Sequence, residues 1–141
     1  MLDFTSKFGR VAKKHLKNEY FDWLTTVDST GIPQPRPVWF IWENESFLIF
    51  SLTNSHKNKH IQKNPKVALH FNTQDVAGDR HVIVFVGDAA IDTNSPPAHK
   101  VRAYFKKYKS AIAHSKLTPE EFSRDQPVAI RIKPTEVRGW E

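Results

Sequence analysis

Six short segments separated by turn-forming residues constrain the fold of this chain most. Each is rich in aromatic and β-branched residues, as β-strands are. They are Tyr20 to Val27, Val38 to Trp42, Ser46 to Leu52, Val67 to Asn72, Arg80 to Asp92, and Pro127 to Ile132 with its continuation toward Glu141. Because helices do not alternate with them as βαβ units require, we predict a mainly β (α+β) fold of six antiparallel strands closing into a small barrel.

Helical patterns are predicted to flank this sheet. They cover residues 5–17, 55–63, 96–112 and 118–122. The third opens at Pro96-Pro97, a favoured place for proline, and the last has Thr118 as its N-cap. Gly87 interrupts the longest strand and predicts a β-bulge or bend. With 141 residues, the whole chain, 1–141, is expected to form one domain.

Composition narrows the classes of partner. The net charge of +6 favours anionic partners: a nucleic acid, an anionic surface, or a phosphorylated or carboxylated small molecule. The chain has no cysteine, which removes disulfides, thiolate metal sites and cysteine nucleophiles. No segment is apolar enough for a membrane span, and residues 1–7 have no long apolar stretch, so we expect no secretory signal and a cytoplasmic location.

A basic segment between two predicted strands suggests an anion site. Thr53, Asn54 and Ser55 resemble helix caps, and the helix that follows has Lys57 and Lys59 in its first turns. A helix start favours anions through its dipole and unpaired N–H groups. We therefore predict a phosphate-binding corner; a solvated basic helix without ligand is the alternative.

Other chemistries find little support in the sequence. His56 and His60 share a helix face, but a metal requires at least a third ligand, and Lys57 stands where the glutamate of the His-Glu-x-x-His motif would be. The glycine-rich signatures of Rossmann folds and P-loops do not occur, and neither does Gly-x-Ser-x-Gly. No metal site and no catalytic acid–base pair are predicted.

Taken together, the motifs resemble those of the pyridoxamine 5′-phosphate oxidase-like family. The resemblance covers about residues 5 to 140 and is most specific in the order and spacing of its motifs. These are Trp23 to Gly31, the proline-rich entry Pro33 to Phe40, Phe50-Ser51, Ser55 to Ile61, and Asn64 to Leu69. It is strongest to small single-domain members that bind FMN or the deazaflavin coenzyme F420. The chain has no longer C-terminal substrate segment of the kind that the vitamin-pathway oxidase carries, so oxidation of pyridoxamine phosphate is not expected.

The resemblance implies a split β-barrel and a set of cofactor-binding residues. Lys57 and Lys59 would hold the cofactor phosphate, with Ser55 beside them. The strand of Arg36, Pro37, Val38 and Trp39 would lie against the flavin ring, with Phe50 and Ser51 on the strand opposite. It also implies a homodimer with the cofactor at the subunit interface, to which Trp140 and the loop Asp79-Arg80-His81 of the second subunit would contribute.

The expected function follows from the resemblance. It implies an oxidoreductase that uses FMN, or alternatively coenzyme F420, with the chemistry supplied by the cofactor. A carrier or sensor without turnover remains open because fold does not fix function. A nucleic-acid-binding barrel ranks last. The substrate cannot be inferred from the sequence, although residues 73–80 and 92–118 are the expected specificity regions.

Overall fold

The computed structural model describes residues 2–74, 78 and 80–140. Asp79, one of the residues expected from the second subunit, lies outside them. The strands are β1 (Phe21–Val27), β2 (Pro33–Trp39), β3 (Ile41–Glu43), β4 (Ser46–Ser51), β5 (Lys66–His70), β6 (Val82–Ile91) and β7 (Val128–Trp140). The α-helices are α1 (Lys7–Asn18), α2 (His56–Lys63), α3 (Arg102–His114) and α4 (Pro119–Asp125).

The strands form one antiparallel sheet whose two edges are consecutive in the chain. Its order is β2-β1-β5-β6-β7-β4-β3, so β2 and β3 lie at opposite edges with only Phe40 between them. The sheet must therefore curl until its edges meet. The predicted number of six strands is therefore wrong by one. The segment Val38 to Trp42 is not a single strand, because its first part pairs with β1 and its last part pairs with β4.

Hydrogen bonds from α3 hold the chain at this junction. The Phe40 N–H donates to the Tyr108 hydroxyl (2.8 Å), and Lys107 Nζ donates to the Phe40 carbonyl oxygen (2.8 Å). The Lys107 ammonium also lies 3.8 Å from the centre of the Phe40 ring. These contacts satisfy backbone groups that pair with neither neighbouring strand, as buried polar groups require.

Two apolar layers share strand β4, which is buried on both faces. Phe47 and Ile49 point into the barrel, where they meet residues such as Phe40 and Phe85. Leu48 and Phe50 point outward and pack against α3 and α4. Because strand residues alternate between faces, a continuous apolar run of this kind marks a strand covered on both sides.

Local sequence signals set most element ends. Ser6 caps α1 by accepting from the Gly9 N–H (2.9 Å), and Thr118 and Glu121 form a reciprocal capping box at α4. The bulge predicted at Gly87 is confirmed by a register shift between Val86 and Gly87. The single helix predicted over 96–112 is wrong: a short 3-10 helix at Ala98–Lys100 precedes α3. In the part of the chain that the structure describes, no helix has the length and apolarity to cross a membrane.

Candidate functional site

The start of α2 exposes hydrogen-bond donors. Ser55 is the N-cap, but its side chain accepts no bond from the helix backbone; instead its Oγ accepts from Lys57 Nζ (2.9 Å). The first-turn N–H groups therefore lack the side-chain partner that a serine cap usually provides. The buried Asn58 fixes the preceding turn by donating to the Leu52 carbonyl oxygen (2.8 Å).

A polar pocket of about 410 Å³ lies between this helix start and the proline-rich strand β2. It is lined by Thr26, Gln34, Arg36, Pro37, Leu52, Asn54, Ser55, His56, Lys57 and His60. Burial lowers the pKa of the half-buried Lys57, and the positive charge of Arg36 lowers it further. Two cations thus face one concavity, an arrangement that an anion between them would stabilise.

An aromatic pocket of about 220 Å³ adjoins the polar one. The two share Pro37 and Lys57 as lining residues and therefore lie side by side, and together we call them the groove. The remaining lining residues of the aromatic pocket are Val38, Trp39, Phe50, Tyr104, Phe122 and Gln126. Trp39 stacks on Tyr108 with ring centres 4.7 Å apart and nearly parallel planes (1°). This packing holds the Trp39 ring against α3.

Most of the residues implied by the resemblance meet in this groove. Arg36, Ser55 and Lys57 line its polar part, and Val38, Trp39 and Phe50 line its aromatic part, with Pro37 in both. They come from β2, β4 and the start of α2. The groove therefore depends on β2 and β4 lying side by side where the barrel edges meet.

Three of the implied residues lie elsewhere. Lys59 is exposed on α2 and, with Asp28, lines another pocket, which adjoins the polar pocket at His56 and His60 but does not share Lys57. Residues two apart on a helix point in different directions. Ser51 is fully buried at the end of β4, on the strand face that points into the barrel. Trp140 is at the far end of β7, opposite Val82, and its side chain is 68% exposed.

Sequence reasoning missed several residues of the groove. Tyr104 comes from α3, and Phe122 and Gln126 come from α4 and its C-cap. In the sequence the two aromatic residues show only helical periodicity, which marks a buried face without indicating what it faces. The sequence pattern suggests no role for His60 except that of a metal ligand, but its Nδ1 lies 2.8 Å from the Thr26 hydroxyl. Among the described residues no group of three or more potential ligands is placed to hold a metal.

Comparison with known proteins identifies the family. The sequence model described as pyridoxamine 5′-phosphate oxidase matches residues 9–141, which is nearly the whole chain. The chain belongs to the pyridoxamine 5′-phosphate oxidase family. A curated relative, the pyridoxine/pyridoxamine 5′-phosphate oxidase of Pseudoalteromonas translucida, is 32% identical over 109 residues, which are 77% of this chain and 47% of the relative. The chain spans less than half the length of the curated oxidases of the family that it matches.

Solved structures show the same fold. A structure described as an F420 reductase has a TM-score of 0.67 at 23% identity, with 89% of this chain and 94% of that chain covered. A FAD-binding protein from Mesorhizobium loti has a TM-score of 0.67 at 15% identity, with 92% and 90% covered. These likenesses show that the two proteins share the curled-sheet fold of this chain.

Proposed function

We propose that this chain is an oxidoreductase that binds FMN, with coenzyme F420 as the alternative, in a groove completed by a second copy in a cytoplasmic homodimer. The observation that carries the proposal is the pair of cations at one helix start. Lys57 and Arg36 line the same concavity, where burial and then the positive charge of Arg36 disfavour the charged form of Lys57. An anion between the two side chains would offset this effect. A phosphoryl group fits this donor set because helix-start N–H groups, a lysine and an arginine all favour it.

The adjoining aromatic pocket supports a ligand with an apolar end. Pro37 and Lys57 line both pockets, so a ligand anchored by its phosphoryl group at Lys57 would extend toward Phe50, Tyr104 and Phe122. Two solved structures with this fold are described as an F420 reductase and a FAD-binding protein, and both names refer to a phosphorylated compound with an aromatic ring system. Pockets of this type combine apolar walls with few polar anchors.

In this proposal the protein binds and orients, while the bound flavin or deazaflavin supplies hydride or electron transfer. Lys57, Arg36 and the α2 N-terminus hold the phosphoryl group. Val38, Trp39 and Phe50 exclude water from one side of the groove. No side chain of this chain is assigned a proton-transfer step. Of the two regions expected to set specificity, 92–118 contributes Tyr104 to the groove.

Substitution of Lys57 tests the phosphate corner. We expect Lys57→Gln to weaken FMN or F420 binding by about ten- to a hundredfold, because a charge-assisted hydrogen bond is lost. Lys59→Gln removes the same charge from the same helix outside the groove and is the matched control. Fluorescence titration of each cofactor measures both affinities. An equal loss in the two variants would contradict the preference for Lys57, and a wild-type protein that binds neither cofactor at micromolar concentration would refute the proposal.

Turnover distinguishes an oxidoreductase from a carrier or sensor. The absorbance and mass spectrum of any small molecule that copurifies identify the cofactor. The reduced cofactor is then mixed with a panel of quinones, enones and nitro compounds, and its oxidation is followed spectroscopically. Steady turnover that Lys57→Gln reduces supports the oxidoreductase assignment. Tight binding without turnover on any acceptor would contradict it and favour the carrier.

A further inference from the structure

A second concavity, which we call the lysine groove, lies between α1 and α3. Its volume is about 780 Å³, and it is lined by Lys13, Leu16, Lys17, Asn18, Tyr20, Ile41, Trp42, Ala103, Lys106 and Lys107. None of these residues lines the groove around Lys57. Its size is within the range of small-molecule sites, which are usually several hundred Å³.

Four lysines line the lysine groove. Lys13 and Lys17 are one turn apart on α1, and Lys106 and Lys107 come from α3. Within the described parts of the chain, Lys13, Lys17 and Lys106 form no ion pair. Lys107 is half-buried: burial lowers its pKa to about 8, although Asp22 and Glu19 act in the opposite direction. Three exposed lysines and one half-buried lysine give this concavity a positively charged lining, which favours an anionic ligand.

The wall of the groove between these lysines is aromatic and apolar. Tyr20 is 60% exposed although it is large, and Trp42 and Ile41 continue the surface. Trp42 is fixed from behind by edge contacts with Phe4 (5.9 Å) and Phe47 (5.1 Å). A rigid aromatic surface beside cations suits a ligand that joins a planar ring to negative charge, because the ring stacks while the anion meets the lysines.

We propose that the lysine groove binds a small aromatic polyanion of the nucleoside diphosphate class, separately from the cofactor. The phosphates contact Lys13 and Lys106, which line the groove from α1 and α3, and the base stacks on Tyr20. The site goes beyond the proposed oxidoreductase function and does not depend on it. Helix α3 contacts both grooves. Lys107 lines the lysine groove and donates to the Phe40 carbonyl oxygen, and the next residue, Tyr108, stacks on Trp39 of the groove around Lys57.

The test uses ADP, inorganic pyrophosphate and adenosine as probes, titrated calorimetrically into the protein in excess FMN. We expect ADP to bind more tightly than pyrophosphate, and adenosine to bind weakest. The double variant Lys13→Gln/Lys106→Gln should weaken ADP binding about tenfold or more, since two charge-assisted contacts are lost. The control is Lys14→Gln/Lys109→Gln, which removes equal charge from exposed positions of the same two helices outside the groove.

Two further variants separate this site from other sources of binding. Tyr20→Leu should weaken ADP binding and leave pyrophosphate binding unchanged, whereas Lys57→Gln should leave ADP binding unchanged. Circular dichroism checks that each variant is folded. Equal losses in the two double variants would show non-specific attraction to net charge and overturn the proposal. Loss of ADP binding in Lys57→Gln, or no ADP binding by the wild type, would overturn it as well.

Discussion

At the scale of single residues, two aspartates illustrate opposite uses of a carboxylate. Asp22 is fully buried in β1, and neither of its oxygens has a hydrogen-bond partner among the described residues. Burial raises the pKa of Asp22 well above its usual range, against the nearby charge of Lys107. Asp28 is only partly exposed, in the turn after β1. There it accepts from the N–H of Ile32 and from Thr30 and Gln34, which together lower its pKa.

These shifts predict opposite stability effects. A carboxyl whose pKa rises on folding costs stability as the pH rises above about 4, because ionisation is easier in the unfolded chain. Asp22→Asn should therefore stabilise the protein at pH 8 and do so much less at pH 4. Urea denaturation at both pH values measures the difference. A destabilised Asp22→Asn at pH 8 would contradict this account.

Asp28→Asn is the comparison. In the wild type the pKa of Asp28 is lowered on folding, so its ionised carboxylate stabilises the folded state above about pH 4. This stabilisation is lost as the pH falls through the pKa of the folded state. The variant should therefore be less stable than the wild type at pH 7 and approach it under acid conditions. The same urea titrations measure this, and a pH-independent difference would indicate that turn geometry, and not charge, is responsible.

At the scale of elements, α4 connects a local sequence signal to the candidate site. Its capping box is complete: Thr118 Oγ1 accepts from the Glu121 N–H (3.1 Å), and Glu121 Oε1 accepts from the Thr118 N–H (3.0 Å). The helix then presents Phe122 to the aromatic pocket, followed by Gln126. Fraying of its first turn would therefore loosen one wall of the groove.

Removal of the cap should affect stability and binding together. Thr118→Ala is expected to lower the free energy of unfolding by about 1 kcal/mol, the usual value of an N-cap. Thr118→Ser keeps the hydroxyl and should lose much less. Urea denaturation measures the stability of each variant, and cofactor titration under native conditions measures its affinity for the cofactor. If Thr118→Ala matched the wild type in stability, the capping box would not be a significant source of helix stability here.

Structural features that depend on residues close in sequence were predictable, whereas features that depend on contacts between distant segments were not. The Thr118 cap and the Gly87 bulge depend on neighbouring residues, so their patterns identified them. The break at Phe40 escaped prediction because it depends on β1 and β4, which compete for one apolar segment. The polar half of the candidate site was predictable because β2 and α2 carry short motifs. Tyr104 and Gln126 reach the groove only through the packing of α3 and α4.

At the scale of the whole molecule, the proposed dimer determines whether one chain has a complete site. Trp140 is exposed at the end of β7 and does not line the groove around Lys57. If the cofactor lies between two subunits, Trp140 of a second copy is free to reach it. Sedimentation is then expected to show a dimer, and Trp140→Ala should weaken cofactor binding without changing the fold.

Mixed dimers distinguish a shared site from a site within one chain. Lys57→Gln and Trp140→Ala are each expected to bind poorly alone. After the two are unfolded and refolded together in equal amounts, half of the dimers combine both variants, and each such dimer has one intact site. About a quarter of all sites should then bind with wild-type affinity, as two-fold symmetry requires. Mixtures that bind no better than either variant would refute the shared site.

The spacing of the prolines in β2 affects how easily the strands of other chains could pair with this edge of the sheet. Pro33, Pro35 and Pro37 pair opposite Val27, Thr25 and Trp23, so the N–H groups that β2 can donate to β1 come from the residues between them. The outer side of this strand therefore offers carbonyl oxygens but hardly any donors. A strand from another chain could not extend the ladder there, which protects an edge strand against amyloid-like growth.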